Sequence, residues 1–220
     1  MLNSPTIVCP ELPPFDAENL DVVRRAFQRA PGAVLRQSWR PEPQPDFVPA
    51  TAWAGWRDST LFVFGKLTDA TIVTFATREN ERLWELGDVL EIFLRPPQQT
   101  AYSEIQIAPN NLRLQLRYAN AAALEKARKN NSIGEALVPK ISFQSRVWQR
   151  PEMNCWFVLA EIPAASVCDV PAPLRGSTWQ FSFCRYDYTR GGTCPVISSS
   201  SLLSQPDFHR LAEWGTLQFV

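Results

Sequence analysis

Four stretches of this chain alternate apolar and polar residues with a period of two: Leu61–Leu67 (LFVFGKL), Val89–Leu94 (VLEIFL), Leu112–Tyr118 (LRLQLRY) and Trp179–Tyr188 (WQFSFCRYDY). A strand sends successive side chains to opposite faces, so this periodicity selects half-buried β-strands, antiparallel ones in particular, over helices. Weaker versions of the pattern run through Thr6–Cys9, Ala33–Trp39, Thr51–Trp56, Ile72–Phe75, Tyr102–Ile107, Ile141–Trp148, Cys155–Glu161 and Gly215–Val220. About a dozen short strands predict an all-β sandwich or barrel. Helical spacing is confined to Glu18–Ala30, with Leu20, Val23 and Phe27 on one stripe, and to the Ala-rich Ala119–Lys129; both read as short peripheral helices. The prolines gather at joints between strands, at Pro10–Pro14, Pro41–Pro49, Pro96–Pro97 and Pro171–Pro173. Without an internal repeat or a shift in composition, the whole of 1–220 reads as a single domain, and Ser198–Ser201 as a polar loop.

Charge narrows the partners. The 220 residues carry 22 basic and 22 acidic side chains, which lacks the clustered cationic excess that phosphate backbones demand, so nucleic acid is not an expected partner. At this length a core closes without metal or disulfide. The five cysteines (Cys9, Cys155, Cys168, Cys184, Cys194) show no CxxC spacing and read as mostly reduced, buried thiols. The opening MLNSPTIVCPELPPF has neither a basic n-region nor an apolar h-region, and no apolar run is long enough to span a bilayer; the expectation is a cytoplasmic protein with no membrane partner.

No GxSxG, P-loop, GxGxxG or HExxH motif occurs, and His209 is the single histidine, so the chain reads as non-catalytic. The middle strands carry a more specific signal. Val89, Glu91 and Phe93 share one face of their strand, Tyr102, Glu104 and Gln106 one face of the next, and Arg113, Gln115 and Arg117 oppose Leu112, Leu114 and Leu116 in the third. If the three strands are neighbours, a polar face of carboxylates, amides and guanidiniums results, with cross-strand pairs such as Glu104 with an arginine. That face is either an ordinary solvated sheet surface or a platform for vicinal hydroxyls. Trp84, in the charged loop RLWELGD just ahead of a strand, is less readily explained as core than Trp156 or Trp179, and is the first candidate for a stacking ring.

The ordered set WELGDVLEIFLRP, YSEIQIAPNN, EIPAAS, WQFSFCRYD and PDFHRLAEWGTLQF resembles the family 9 carbohydrate-binding modules, within the wider DOMON-like group, over roughly Thr51–Val220; 46–220 is thus the best-matching core, and 1–45 an opening strand, helix and Pro-rich segment. The resemblance implies a β-sandwich of two antiparallel sheets that binds a saccharide without transforming it, in settings linked to xylan or cellulose degradation. It puts Trp84 on the family's first stacking tryptophan, Glu91 on its strand glutamate and Gln106 where an arginine is usual. Glu104 lies on the same strand face as Gln106, and Arg185 on the arginine that closes the aromatic motif. Where a second stacking tryptophan is expected the chain has Phe208 and His209, so the implied ring pair becomes Trp84 with Phe208.

Other readings follow from the same resemblance. Such modules often hold structural calcium, but Asp58, Asp69 and Asp88 are scattered and no DxDxDG loop occurs, so no cofactor is expected and calcium is left open. Haem-binding relatives would need an axial pair, for which Met153 with His209, or Lys140, are the available ligands. Aromatic and arginine enrichment also suits a protein-interaction module that has lost sugar binding. A glycoside hydrolase would use Glu91 with Glu104, which the expected arginine neighbours disfavour by lowering the carboxyl pKa.

Overall fold

A computed structural model describes residues 4–167, 174–188 and 194–220 of the protein. Cys168 and the joint at residues 171–173 lie outside the described residues. In chain order the elements are β1 (Thr6–Cys9), α1 (Leu20–Ala26), β2 (Gly32–Leu35), β3 (Ala50–Arg57), β4 (Thr60–Thr68), β5 (Val89–Arg95), β6 (Tyr102–Ile107), β7 (Arg113–Tyr118), α2 (Ala121–Lys129), β8 (Gln144–Arg150), β9 (Cys155–Pro163), β10 (Thr178–Asp187), β11 (Val196–Ser199) and β12 (Gly215–Phe219).

These strands form two sheets. One runs β1-β12-β10-β5-β6-β7, with β11 alongside the far half of β10; the other runs β2-β3-β4-β9-β8. Every pairing is antiparallel except that of β1 with β12. The all-β sandwich expected from the periodicity is the observed architecture.

Parity explains the core between the sheets. Leu90, Ile92 and Leu94 of β5, Ile105 and Ile107 of β6 and Phe181 and Phe183 of β10 meet Ala52, Ala54, Leu61, Val63, Trp156 and Val158 from the other sheet. Leu90, Ile92 and Leu94 are each at most 1% exposed, which is worth about 1.5–3 kcal/mol of transfer free energy per side chain. The outer faces are covered as well. Val23 of α1 and Phe27 at its C-terminal cap, with Leu12, pack on Phe62, Phe64 and Phe157 of the five-stranded sheet. Asn19 starts α1 by accepting from the Asp21 and Val22 backbone N–H groups, and Asn120 starts α2 by accepting from Ala123 N–H. On the seven-stranded sheet, Leu124 and Ala127 of α2, Leu203, Phe208 and Trp214 cover part of the outer face. Covered on both sides, β6 is buried at every position.

The structure changes several of the expected boundaries: the strand expected at Ala33–Trp39 ends at Leu35, and the helix expected over Glu18–Ala30 spans Leu20–Ala26. Ile72–Phe75 forms no strand; its β pairing is one isolated bridge, Thr74 with Gly87. Ser198 and Ser199, the first half of the expected polar loop Ser198–Ser201, belong to β11 (Val196–Ser199). The buried hydroxyls of this stretch are satisfied by β10: Ser199 Oγ lies 2.9 Å from Ser182 Oγ, and Ser200 Oγ accepts from Phe183 N–H at 2.9 Å. The strand expected at Ile141–Trp148 begins at Gln144. Among the described residues no helix is long and apolar enough to cross a membrane.

Candidate functional site

The outer face of the seven-stranded sheet is built in rows. Cross-strand register aligns Cys184, Glu91, Gln106 and Leu114 in one row and Ser182, Phe93, Glu104 and Leu116 in the next, with Tyr102 facing Tyr118 beyond them. Glu91, Glu104 and Gln106 therefore do share a face. The arginines do not share it: Arg113 and Arg117 have the opposite parity, toward the sheet-to-sheet side at the edge strand. There Arg113 binds Glu79 at 2.7 Å and the Phe143 carbonyl at 3.1 Å, and Arg117 donates to the Val167 carbonyl. Gln115 likewise turns away, accepting from Ser142 N–H at 2.9 Å. Among the described residues Glu104 has no arginine paired with it, because β7 offers Leu114, Leu116 and Tyr118 to this face instead.

A cavity of about 570 Å³ opens over these rows. Glu91 and Glu104 are at its floor; Tyr118, Tyr186 and Phe208 line its sides; Trp84 with Arg82, and Arg128 with Asp207, stand toward its mouth. Trp84 is half-buried on the turn Leu83–Glu85, with the Arg82 guanidinium 5.9 Å from its ring centre. Its carbonyl accepts from Tyr188 OH at 2.6 Å. Phe208, only 4% exposed, is wedged edge-on against Phe93 and Tyr186 and presents little ring face to solvent. Arg128 of α2 reaches Asp207 at 2.7 Å, and Arg82 reaches Glu85 at 3.1 Å.

Burial sets the electrostatics of the floor. The Gln106 amide donates to Glu91 at 2.7 Å and to Glu104 at 2.5 Å, tying the carboxyl groups together side by side. Desolvation raises Glu104 to about 7, against the opposing effects of the Gln106 hydrogen bond and the Arg128 charge. Desolvation, then the neighbouring Glu104 charge, raises Glu91 well above the usual carboxylate range. The lowering expected from arginine neighbours is thus reversed. His209 is brought down to about 3 by burial and by Arg128, so its ring is neutral at pH 7. Its Nδ1 lies 2.9 Å from Tyr102 OH, and its Nε2 lies 3.5 Å from Glu104 Oε2 without forming a hydrogen bond.

Arg185 is not part of this cavity. It pairs with Leu90 across β5, so its side chain has the opposite parity to Glu91 and enters the interior, where it is wholly buried. Its guanidinium lies 3.1 Å from Asp69 and from Asp187 and donates to the Thr68 carbonyl at 2.7 Å. Asp88 joins them: the carboxylates of Asp69, Asp88 and Asp187 fall within 4.8 Å of one another. Asp88 accepts from Val73 N–H at 2.6 Å and Tyr188 N–H at 2.7 Å, pinning both the segment before the Trp84 turn and the end of β10. Arg185 is thus a positioning residue behind the loop. Asp58 lies apart, on the exposed turn between β3 and β4.

This cluster answers poorly to calcium. A hard cation needs several free oxygens, whereas Asp69 and Asp187 hold a guanidinium and both Asp88 oxygens hold backbone N–H groups. Nor is the haem axial pair assembled. His209 lines the cavity on the seven-stranded sheet, Met153 lines a separate one with Asp16, Leu20 and Phe157 beside α1, and Lys140 is exposed.

Of the residues expected from sequence, Trp84, Glu91, Glu104 and Phe208 line the cavity, and Gln106 lies buried beneath it. Tyr118, Tyr186, Arg128 and Asp207 were not anticipated. For Tyr118 and Tyr186 the signal was strand parity; for Arg128 and Asp207, which face each other from α2 and a distant loop, the sequence carries none.

No family model matches the chain, and no curated protein matches it. Solved structures do. The chain superposes on a Bacteroides uniformis protein described as a "putative carbohydrate-binding protein" with a TM-score of 0.76 at 15% identity, over 99% of this chain and 100% of the other. A family 9 carbohydrate-binding module of Caldicellulosiruptor kristjanssonii in complex with glucose aligns with a TM-score of 0.62 at 15% identity, over 98% of this chain and 95% of that one. The same organism's module in complex with cellotriose gives 0.60 at 15% identity, over 97% and 93%. The chain has the fold of these modules.

Proposed function

We propose that the protein binds a saccharide, without transforming it, in the cavity on the outer face of the seven-stranded sheet. The observation that carries this reading is the composition of that one concavity. A half-buried indole and two tyrosine rings supply flat apolar surface, while carboxyl, amide and guanidinium groups supply hydrogen bonds at its floor and mouth. The apolar faces of a pyranose suit the rings, and its vicinal hydroxyls suit planar bidentate partners such as Glu91, Asp207 and Arg128. The solved modules that share the fold, in complex with glucose and with cellotriose, add support. A link to xylan or cellulose breakdown belongs to the same proposal.

Binding is favoured over hydrolysis by the placement of the two glutamates. Glycosidases flank the scissile bond with their carboxyl groups, whereas Glu91 and Glu104 sit side by side on one floor and share one amide nitrogen. A glycan-array screen of the protein beside Trp84→Ala tests the proposal. Selective saccharide binding that the variant loses is the expected result; no binding to any glycan would overturn it.

A further inference from the structure

The charges around the cavity do not balance. Its cationic side chains, Arg82 and Arg128, each have a rim carboxylate of their own, Glu85 and Asp207. Among the described residues the two floor carboxyl groups have no cation in contact: their hydrogen-bond donor is the Gln106 amide, shared between both, and the neutral His209 ring stands 3.5 Å from Glu104. Glu104 Oε2 is buried with no hydrogen-bond partner. A buried acceptor of this kind costs free energy unless something satisfies it. The walls above are Tyr118, Tyr186 and Trp84, whose ring faces attract cations. Paired acceptors under aromatic walls form a site for a donor that carries positive charge.

We propose that the saccharide this cavity takes carries a free, protonated amine, as in a glucosamine unit, and that the ammonium group docks at Glu91 and Glu104. The inference rests on the saccharide reading above and narrows it to a ligand class. An ammonium group offers three N–H donors and no acceptor, which matches a floor of oxygens better than a hydroxyl does. N-acetylation removes both the charge and two of those donors. Docking also draws the carboxyl pair into its fully ionised state. Because burial raises Glu104 to about 7 and Glu91 well above the usual carboxylate range, binding releases protons at pH 6.5. Affinity rises with pH while the floor ionises and falls again once the amine loses its proton. The other groups facing the floor, namely Tyr102, Tyr118, Cys184, Tyr186 and His209, with Arg128 and Asp207 at the mouth, do not change state in that window.

The test is titration calorimetry at pH 6.5 with the β-1,4-linked disaccharides of glucosamine, glucose and N-acetylglucosamine, repeated in buffers of different ionisation enthalpy. The amine disaccharide is expected to bind at least ten-fold more tightly than the other two and to release protons. Glu104→Gln, whose fold is checked by thermal unfolding, should reduce the preference to about two-fold or less and abolish part of the release. Glucose binding as tight as glucosamine binding would overturn this inference and leave the saccharide reading standing. Amine binding that Trp84→Ala leaves untouched would overturn it as well, reducing the effect to simple charge attraction. Failure of all three disaccharides rejects the amine, and the array then decides the fate of the broader reading.

Discussion

Arg185→Met is the most demanding perturbation of the architecture behind the cavity. The guanidinium is wholly buried and lies 3.1 Å from both Asp69 and Asp187. Its removal leaves those carboxylates, at 4% and 2% exposure, beside Asp88 without the guanidinium that lies between them. Breaking a buried pair from one side costs about 3–5 kcal/mol. At about 2–4 °C per kcal/mol for a domain of this size, the melting temperature should fall by roughly 6–20 °C at pH 7. The sign of the pH dependence follows from the carboxylates. In wild type, burial and the Asp69 charge already raise Asp88 to about 7. Without Arg185 the carboxylates repel one another more strongly, and protonating Asp88 relieves that repulsion. A carboxyl whose folded pKa lies above its unfolded value near 3.9 favours the folded state below that value and loses the contribution as pH rises through the folded pKa. The deficit of Arg185→Met must therefore shrink between pH 7 and pH 5. Asp187→Asn in the Arg185→Met background should recover part of the loss at pH 7. Urea unfolding at both pH values is the assay. A deficit under about 1 kcal/mol at pH 7, or one equal at pH 5 and pH 7, would refute the reasoning.

Gly87 has φ 139°, and a β-carbon there would stand 2.3 Å from the Val73 carbonyl oxygen, so Gly87→Ala should destabilise the fold by about 1–3 kcal/mol and weaken saccharide binding by displacing the Trp84 turn; a variant with wild-type melting and affinity would contradict this. Trp84→Ala should cost about 2 kcal/mol of affinity, roughly thirty-fold, with little change in melting temperature, read by calorimetry on whichever glycan the array identifies. Glu104→Gln should flatten the loss of stability that wild type shows as pH rises from about 4.5 to 7, since the raised carboxyl of Glu104 opposes folding in that window; an unchanged pH slope would count against the buried-floor account. Millimolar calcium should leave the melting temperature of wild type unchanged, because Arg185 already supplies the positive charge of the aspartate cluster; a rise of several degrees would contradict that.

What was legible in the sequence was whatever strand parity encodes. The alternation in VLEIFL and YSEIQI placed Glu91, Glu104 and Gln106 on one face and the core leucines and isoleucines on the other. Parity also governs LRLQLRY, but which set faces the core depends on what covers each side. At the edge strand β7, loops supply carbonyls to the arginines on the sheet-to-sheet side, while α2 and Trp214 bury Leu114 and Leu116 on the other. Composition within the strand could not reveal those coverings. Arg185 followed the motif resemblance rather than its register with Leu90, and the register sends it inward. The serines of β11 suggested a loop because hydroxyl satisfaction inside a sheet is a tertiary matter. The cavity itself arises from contacts of long sequence separation, such as Arg128 with Asp207, that no local pattern carries.

The most direct measurement of the central claim is a crystal structure of the protein with the saccharide selected on the glycan array. The account predicts a sugar ring against Trp84 with its polar groups on Glu91, Glu104, Asp207 and Arg128. A saccharide seated instead in the cavity beside α1, against Trp148 and Phe157, with the space over Glu91 and Glu104 empty of ligand, would contradict it.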